Sequence, residues 1–173
     1  MAVKRKLANV DRADEAVAFL DHAYRTGLRR AGRTVEHPIA VAALLADDGQ
    51  PPDVVVAGLL HDVLEDTDTT PRELKNAFGP EIARLVGALT QDRSIGKYEK
   101  RKAALRAQIV DAGPDAAAVS LADKVEKLRS VESRPANRKL NHYRETLDAI
   151  EARYGHSGLS EMLREQLDRC VAR

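Results

Sequence analysis

Residues 61–66 read His-Asp-Val-Leu-Glu-Asp, and four of these six side chains can ligate a metal or move a proton. His61 and Asp62 close an apolar run, Val56-Ala57-Gly58-Leu59-Leu60. An ionised Asp in such surroundings is costly unless it is paired or bound to a cation. One divalent ion would satisfy His61 and Asp62 together. Glu65 and Asp66 follow at helical spacing and come round to the same side. The segment therefore reads as a metal site with acid/base groups one turn away. The competing reading is a buried His-Asp pair followed by an acidic helix end, an arrangement that opposes the helix dipole.

Two further residues can complete a coordination set. His37 precedes Pro38 at the start of a helix reading Ile39-Ala-Val-Ala-Ala-Leu-Leu, where its ring can point off the helix end. Taken singly, such a His is a capping or loop residue. Asp123 lies in Val119-Ser120-Leu121-Ala122-Asp123-Lys124 and is an acid in an apolar helix, as Asp62 is. Its ordinary explanation is an ion pair with Lys124 or an Arg. Two imidazoles and two carboxylates suit Mn²⁺, Fe²⁺ or Zn²⁺ and leave positions for water and substrate. His22, His142 and His156 lack this context and read as surface or core residues.

These side chains must be positioned by helices. Ala, Leu, Arg, Glu and Asp dominate, and long β-branched alternations are missing, which predicts an all-α fold. Pro38, Pro52, Pro71 and Pro80 each suit a first helical turn. Thr70-Pro71-Arg72-Glu73 is a capping box, and Phe78-Gly79-Pro80 ends one helix and starts another. Helices are expected at about 11–31, 38–47, 52–66, 71–78, 80–92, 97–112, 115–132, 135–154 and 158–171. No repeat or linker interrupts the 173 residues, so one domain is expected over 1–173. The last two helices, about 135–171, are amphipathic and charged. They read as packing elements or as the surface of a homo-oligomer.

Composition narrows the function. The formal net charge of +1 carries no global signature of nucleic-acid binding, so any phosphate recognition must be local. Trp is absent and only two Phe and four Tyr occur, which disfavours base stacking on aromatic rings. Cys170 stands alone and excludes an internal disulfide or a Cys-based zinc knuckle. No apolar stretch has the length of a membrane span, and Met-Ala-Val-Lys-Arg-Lys is not followed by an apolar signal segment. A cytoplasmic protein without membrane contact is the default expectation.

His37-Pro38, Leu60-His61-Asp62-Val-Leu-Glu65-Asp66-Thr67, Phe78-Gly79, Leu89-Thr90 and Leu121-Ala122-Asp123-Lys124 follow one another in that order. In this order the chain resembles the HD-domain phosphohydrolase superfamily. Within it, the chain is similar to the Rel/SpoT-type alarmone (p)ppGpp hydrolases, including the stand-alone metazoan SpoT homologue. The resemblance runs over about residues 13–131. It implies a single all-α HD helical bundle with Mn²⁺ held by His37, His61, Asp62 and Asp123. It also implies that Glu65 and Asp66 handle water and proton transfer while the 3′-pyrophosphate is released from (p)ppGpp. The family's basic stretch corresponds to Arg29-Arg30 with Gly32, and its Lys-rich segment to Lys97, Glu99, Lys100, Arg101 and Lys102. Three departures stand out. The loop before His37 is short and lacks a Tyr-x-x-His approach, Lys127 replaces a family Asn, and Ser120 replaces a frequent Lys.

The expected activity is thus metal-dependent hydrolysis of a small nucleotide, with either Glu65 or Asp66 serving the attacking water and the other the leaving ribose oxygen. Arg29, Arg30, Lys97 and Lys127 are the expected substrate cations, with guanine stacked on an arginine plane such as Arg29 or Arg30. Two alternatives are an HD phosphatase acting on a nucleoside monophosphate or NADPH, and a catalytically silent nucleotide-binding regulator. Activity on ppGpp against those nucleotides separates the first. The acid pair argues against the second, because a pure binder has no use for it.

Overall fold

The computed structural model describes residues 7–27, 34–130 and 135–171. The described secondary structure is helical throughout: α1 (Ala13–Thr26), α2 (Glu36–Asp47), α3 (Pro52–Leu60), α4 (Val63–Asp66), α5 (Pro71–Phe78), α6 (Pro80–Leu89), α7 (Tyr98–Ala112), α8 (Pro114–Arg129), α9 (Asn137–Tyr154) and α10 (Gly158–Val171). The local signals explain most boundaries. At the start of α5, Glu73 N–H donates to Thr70 Oγ1 at 3.2 Å and Thr70 N–H donates to Glu73 Oε2 at 2.8 Å. Gly79, at φ 89°, takes a conformation that a side chain disfavours, which ends α5 and lets Pro80 open α6.

One expected helix is interrupted. The segment predicted as 52–66 is α3 and the single turn α4, separated at His61-Asp62. His61 Nδ1 lies 2.7 Å from the Gly58 carbonyl. A continuous helix would offer that oxygen to the Asp62 N–H. The histidine ring takes it instead, and the chain re-forms a turn with Asp66 N–H on the Asp62 carbonyl at 2.9 Å.

Helices α3 and α8 form the centre. Every residue of α3 from Val54 to Leu60 is buried, and α8 is buried from Ala116 to Ala122 and again at Val125 and Leu128. Helix α2 packs against both of them. The approach of α3 to α2 depends on Gly58, where an added Cβ would lie 2.4 Å from Leu45 Cδ1. Helices α6 and α7 close the next side, and α9 and α10 cover α7 and α8. Leu140, Leu147, Leu159, Leu163 and Leu167 are buried, so the apolar stripes of the last two helices are spent on the core. Among the described residues no helix is long and apolar enough to cross a membrane.

Candidate active site

Three ligand-type side chains meet where α2, α3 and α8 converge. Helix α2 supplies His37 from its first turn, the α3–α4 break supplies His61, and α8 supplies Asp123. One ligand atom from each lies within 4.8 Å of the others. Asp123 Oδ1 is the focus: His37 Nε2 is 3.1 Å away, His61 Nε2 3.3 Å and Lys127 Nζ 2.7 Å. The two imidazole centroids are 5.5 Å apart. Asp62 joins from the other side, with Oδ2 3.4 Å from His61 Nε2.

The electrostatics of this cluster call for positive charge at one point. His61 Nε2 is buried and makes no hydrogen bond. With Nδ1 donating to the Gly58 carbonyl, a neutral His61 aims its Nε2 lone pair at two carboxylates. Burial alone would lower the His61 pKa, but Asp62 and Asp123 overcome it and push it up to about 10. Burial likewise opposes ionisation of Asp123, while Lys127 and the two histidines hold it well below the carboxylate range. A proton on His61 supplies the missing charge in one way. A divalent cation supplies it better, because neutral imidazole and carboxylate oxygens are its natural donors. The residues therefore fit a metal. Lys124 is not the partner of Asp123. Its Nζ donates to Ser120 Oγ at 2.8 Å and to the Ser120 carbonyl at 3.2 Å, and burial lowers its pKa to about 8. Ser120, where the family often has Lys, anchors that ammonium.

Glu65 and Asp66 face the same cavity, of about 280 Å³, whose lining includes His61, Asp62 and Asp123. Glu65 is oriented from outside the motif. Its Oε1 accepts the Gln91 N–H at 2.9 Å and its Oε2 accepts the Gln91 side-chain amide at 2.7 Å. Gln91 Oε1 in turn accepts from Arg101 Nε and Lys102 Nζ, both at 3.1 Å. Asp66 is buried.

The same lining is cationic as well. Lys102, Lys124, Lys127 and Lys139 line the cavity together with Tyr98, Tyr143 and His142. Of the four substrate cations expected from sequence, Lys127 is there. Lys97 is exposed at the start of α7 and does not line the cavity. Arg29 and Arg30 lie outside the described residues. Sequence reasoning missed Gln91, Lys124 and Lys139 as parts of a site. His142, expected at the surface or in the core, is buried and lines the cavity. Burial, with Lys124, Lys102 and Arg106 nearby, lowers its pKa to about 3. Two of the four tyrosines, Tyr98 and Tyr143, line this cavity.

With this geometry in place, the chain can be set beside known proteins. A family model described as HD domain matches residues 16–150. The mouse guanosine-3′,5′-bis(diphosphate) 3′-pyrophosphohydrolase MESH1 is 38% identical over 122 residues, covering 68% of each protein. The zebrafish protein of the same name is 43% identical over 103 residues, 56% of this chain and 54% of that one. The chain thus matches about half the length of the zebrafish relative. A solved metazoan ortholog of SpoT, described as hydrolysing ppGpp with a role in starvation responses, superposes with a TM-score of 0.76. Its sequence identity is 23%, over 92% of this chain and 95% of that one, a likeness of fold. The chain belongs to the HD-domain family.

Proposed function

We propose that this chain is a metal-dependent phosphohydrolase that removes the 3′-pyrophosphate from guanosine tetra- or pentaphosphate. The observation that carries the reading is the convergence of His37, His61 and Asp123 near Glu65, which Gln91 orients, and Asp66, at a cavity also lined by lysines. The relatives' named activity, release of pyrophosphate from a 3′,5′-bis(diphosphate), matches that chemistry.

His37, His61, Asp62 and Asp123 would hold the ion, which we take to be Mn²⁺. When bound, it supplies Lewis-acid polarisation of a phosphoryl oxygen and activation of water. The other steps fall to this chain's own groups. Glu65, held rigid by Gln91, and Asp66 divide the proton work: one takes a proton from the attacking water, and the other returns one to the ribose 3′ oxygen. The bond between that oxygen and phosphorus breaks, leaving a 3′-hydroxyl and free pyrophosphate. Lys102, Lys124 and Lys127 neutralise the charge of the leaving pyrophosphate in a half-enclosed cavity, where fixed charges act strongly. Tyr98 and Tyr143 supply ring faces for the nucleoside. We take the whole chain as one HD unit, working in the cytoplasm and lowering the alarmone of the stringent response.

Lys127 favours a second reading. Its ammonium sits on Asp123 where the family has a neutral Asn, which suits a different phosphate position, as in a nucleoside monophosphate or NADPH. Product analysis after incubating Mn²⁺-loaded protein with ppGpp, dNMPs and NADPH tests both. Pyrophosphate and GDP from ppGpp are expected. Inorganic phosphate from the other nucleotides, with ppGpp intact, would replace the first reading by the second.

A further inference from the structure

Next to the catalytic cavity lies a second groove, of about 440 Å³, between α7 and α9. The two share Tyr98, Lys102 and His142 in their linings, so they adjoin. The groove's cations are Lys100, Lys102, Arg106 and Arg138, against Glu99 and Glu145. Arg106 is matched to Glu145 at 2.8 Å. That leaves Lys100, Lys102 and Arg138 against Glu99, an excess of positive charge in a chain whose formal net charge is only +1.

The junction is chemically defined. Arg106 Nη1 approaches His142 Nδ1 at 3.3 Å. A guanidinium has no lone pair, so Nδ1 accepts and the His142 proton resides on Nε2. His142 is therefore a neutral donor rather than one more cation. The Arg138 guanidinium lies 5.0 Å from the centroid of the Tyr98 ring, and Tyr98 lines both cavity and groove. A solvated helix face would not require a buried histidine or a shared ring at the point where the two depressions meet.

We propose that the α7–α9 groove is a second anion subsite that takes the 5′-phosphate chain of a nucleotide whose 3′-pyrophosphate occupies the catalytic cavity. This deepens the function proposed above and rests on it. A nucleoside phosphorylated at both ends presents two anionic groups separated by a ribose. The two cationic depressions, separated by Tyr98 and His142, present the complementary arrangement. Lys102 lies between them and serves both.

The test compares two substrates, guanosine 3′,5′-bis(diphosphate) and guanosine 3′-diphosphate without 5′ phosphates. The variants are Lys100→Gln/Arg138→Gln and Lys100→Glu/Arg138→Glu. Both positions are exposed, and thermal melting checks that the variants fold. The neutralised variant should raise KM for the bis(diphosphate) roughly tenfold, the scale of losing charge-assisted hydrogen bonds, with kcat retained. The reversed variant should raise it further. KM for the 3′-diphosphate should change far less in both. If the unaltered protein hydrolyses the substrates but both KM values shift equally, or neither shifts, the groove assignment is overturned while the activity stands. If the unaltered Mn²⁺-loaded protein hydrolyses neither, the functional reading falls and this assignment falls with it.

Discussion

One wall of the site is built of His61, Asp62, Glu65 and Asp66, from six consecutive positions, joined by His37 and Asp123. The other is built of Lys102, Lys124, Lys127 and Lys139, from α7, α8 and α9, which line the same cavity. The first wall is tied together by short, directional contacts. Two imidazoles meet one carboxylate oxygen, His61 is locked by the Gly58 carbonyl, and Glu65 is held at both oxygens by Gln91. The second wall has hydrogen bonds as short, 2.7 Å at Lys127, 2.8 Å at Lys124 and 3.1 Å at Lys102, but its like charges repel one another. Its lysines rest on Ser120, Gln91, Asp123 and the Tyr143 ring. A site that must fix an ion needs precise donors, whereas one that must receive polyphosphate needs charge more than exact placement.

The comparison predicts that damage to the first wall is near total and damage to the second graded. His61→Ala or Asp123→Ala should abolish Mn²⁺ retention and turnover, read by metal analysis of the dialysed protein. In the unaltered protein, chelation should remove a stabilisation of about 2.7 kcal/mol for ion at 100 times its Kd. A melting temperature insensitive to both Mn²⁺ and chelator would break the contrast at its root.

Within the first wall, ion holding and proton transfer should separate. Glu65→Gln and Asp66→Asn should keep the ion and lower kcat about 100-fold or more, the usual scale for lost acid/base help. Gln91→Ala takes the side-chain amide from Glu65 Oε2, keeps the backbone bond to Oε1 and frees Arg101 and Lys102; it should cost roughly tenfold in kcat, as mispositioning does. Wild-type turnover in both acid variants would make the pair structural.

The two walls also differ in how far sequence alone reveals them. The metal wall is legible because its anomalies are local: acids inside apolar runs, at helical spacing, beside histidines. The capping box at Thr70 and the stop at Gly79 are legible for the same reason. The break at His61-Asp62 is not, because it depends on a side chain competing for the Gly58 carbonyl. Lysines are harder still. A Lys on a solvated helix face and a Lys in a cavity have the same sequence context, so Lys97 looks as good as Lys102 until α7 is docked against α6 and α9. His142 is invisible for a related reason: Arg106, which makes it a neutral donor, lies on another helix.

Lys127 belongs to both walls. Its ammonium bonds Asp123, a proposed ligand, at 2.7 Å, so it competes with the ion for the same oxygen. Lys127→Ala should tighten Mn²⁺ binding roughly five- to tenfold by removing a like charge, at low ionic strength. The same variant should raise KM for ppGpp more than it lowers kcat, because a phosphate contact is lost. Lys127→Asn should be tolerated. Competition against a chelating dye and steady-state kinetics read the two effects separately. Weaker ion binding with unchanged KM would show that Lys127 serves the first wall alone.

The smallest effect should come from Lys139. It stands on α9 at the far end of the cationic wall, is half-buried, and has its Nζ 5.7 Å from the Tyr143 ring centroid. The ring steadies the ammonium by about 0.5–1 kcal/mol, without fixing it to a single acceptor. Burial and the nearby Lys127 lower the Lys139 pKa, so the site holds this charge reluctantly until an anion arrives. Lys139→Ala should therefore raise KM about two- to threefold, leave kcat alone and leave Mn²⁺ content unchanged, the pattern of lost uniform binding. Lys139→Arg should restore KM, since charge and not hydrogen-bond geometry is what this wall supplies. A kcat loss in Lys139→Ala that Arg does not rescue would mean that Lys139 is held as exactingly as the histidines, and the contrast between the walls would fail there.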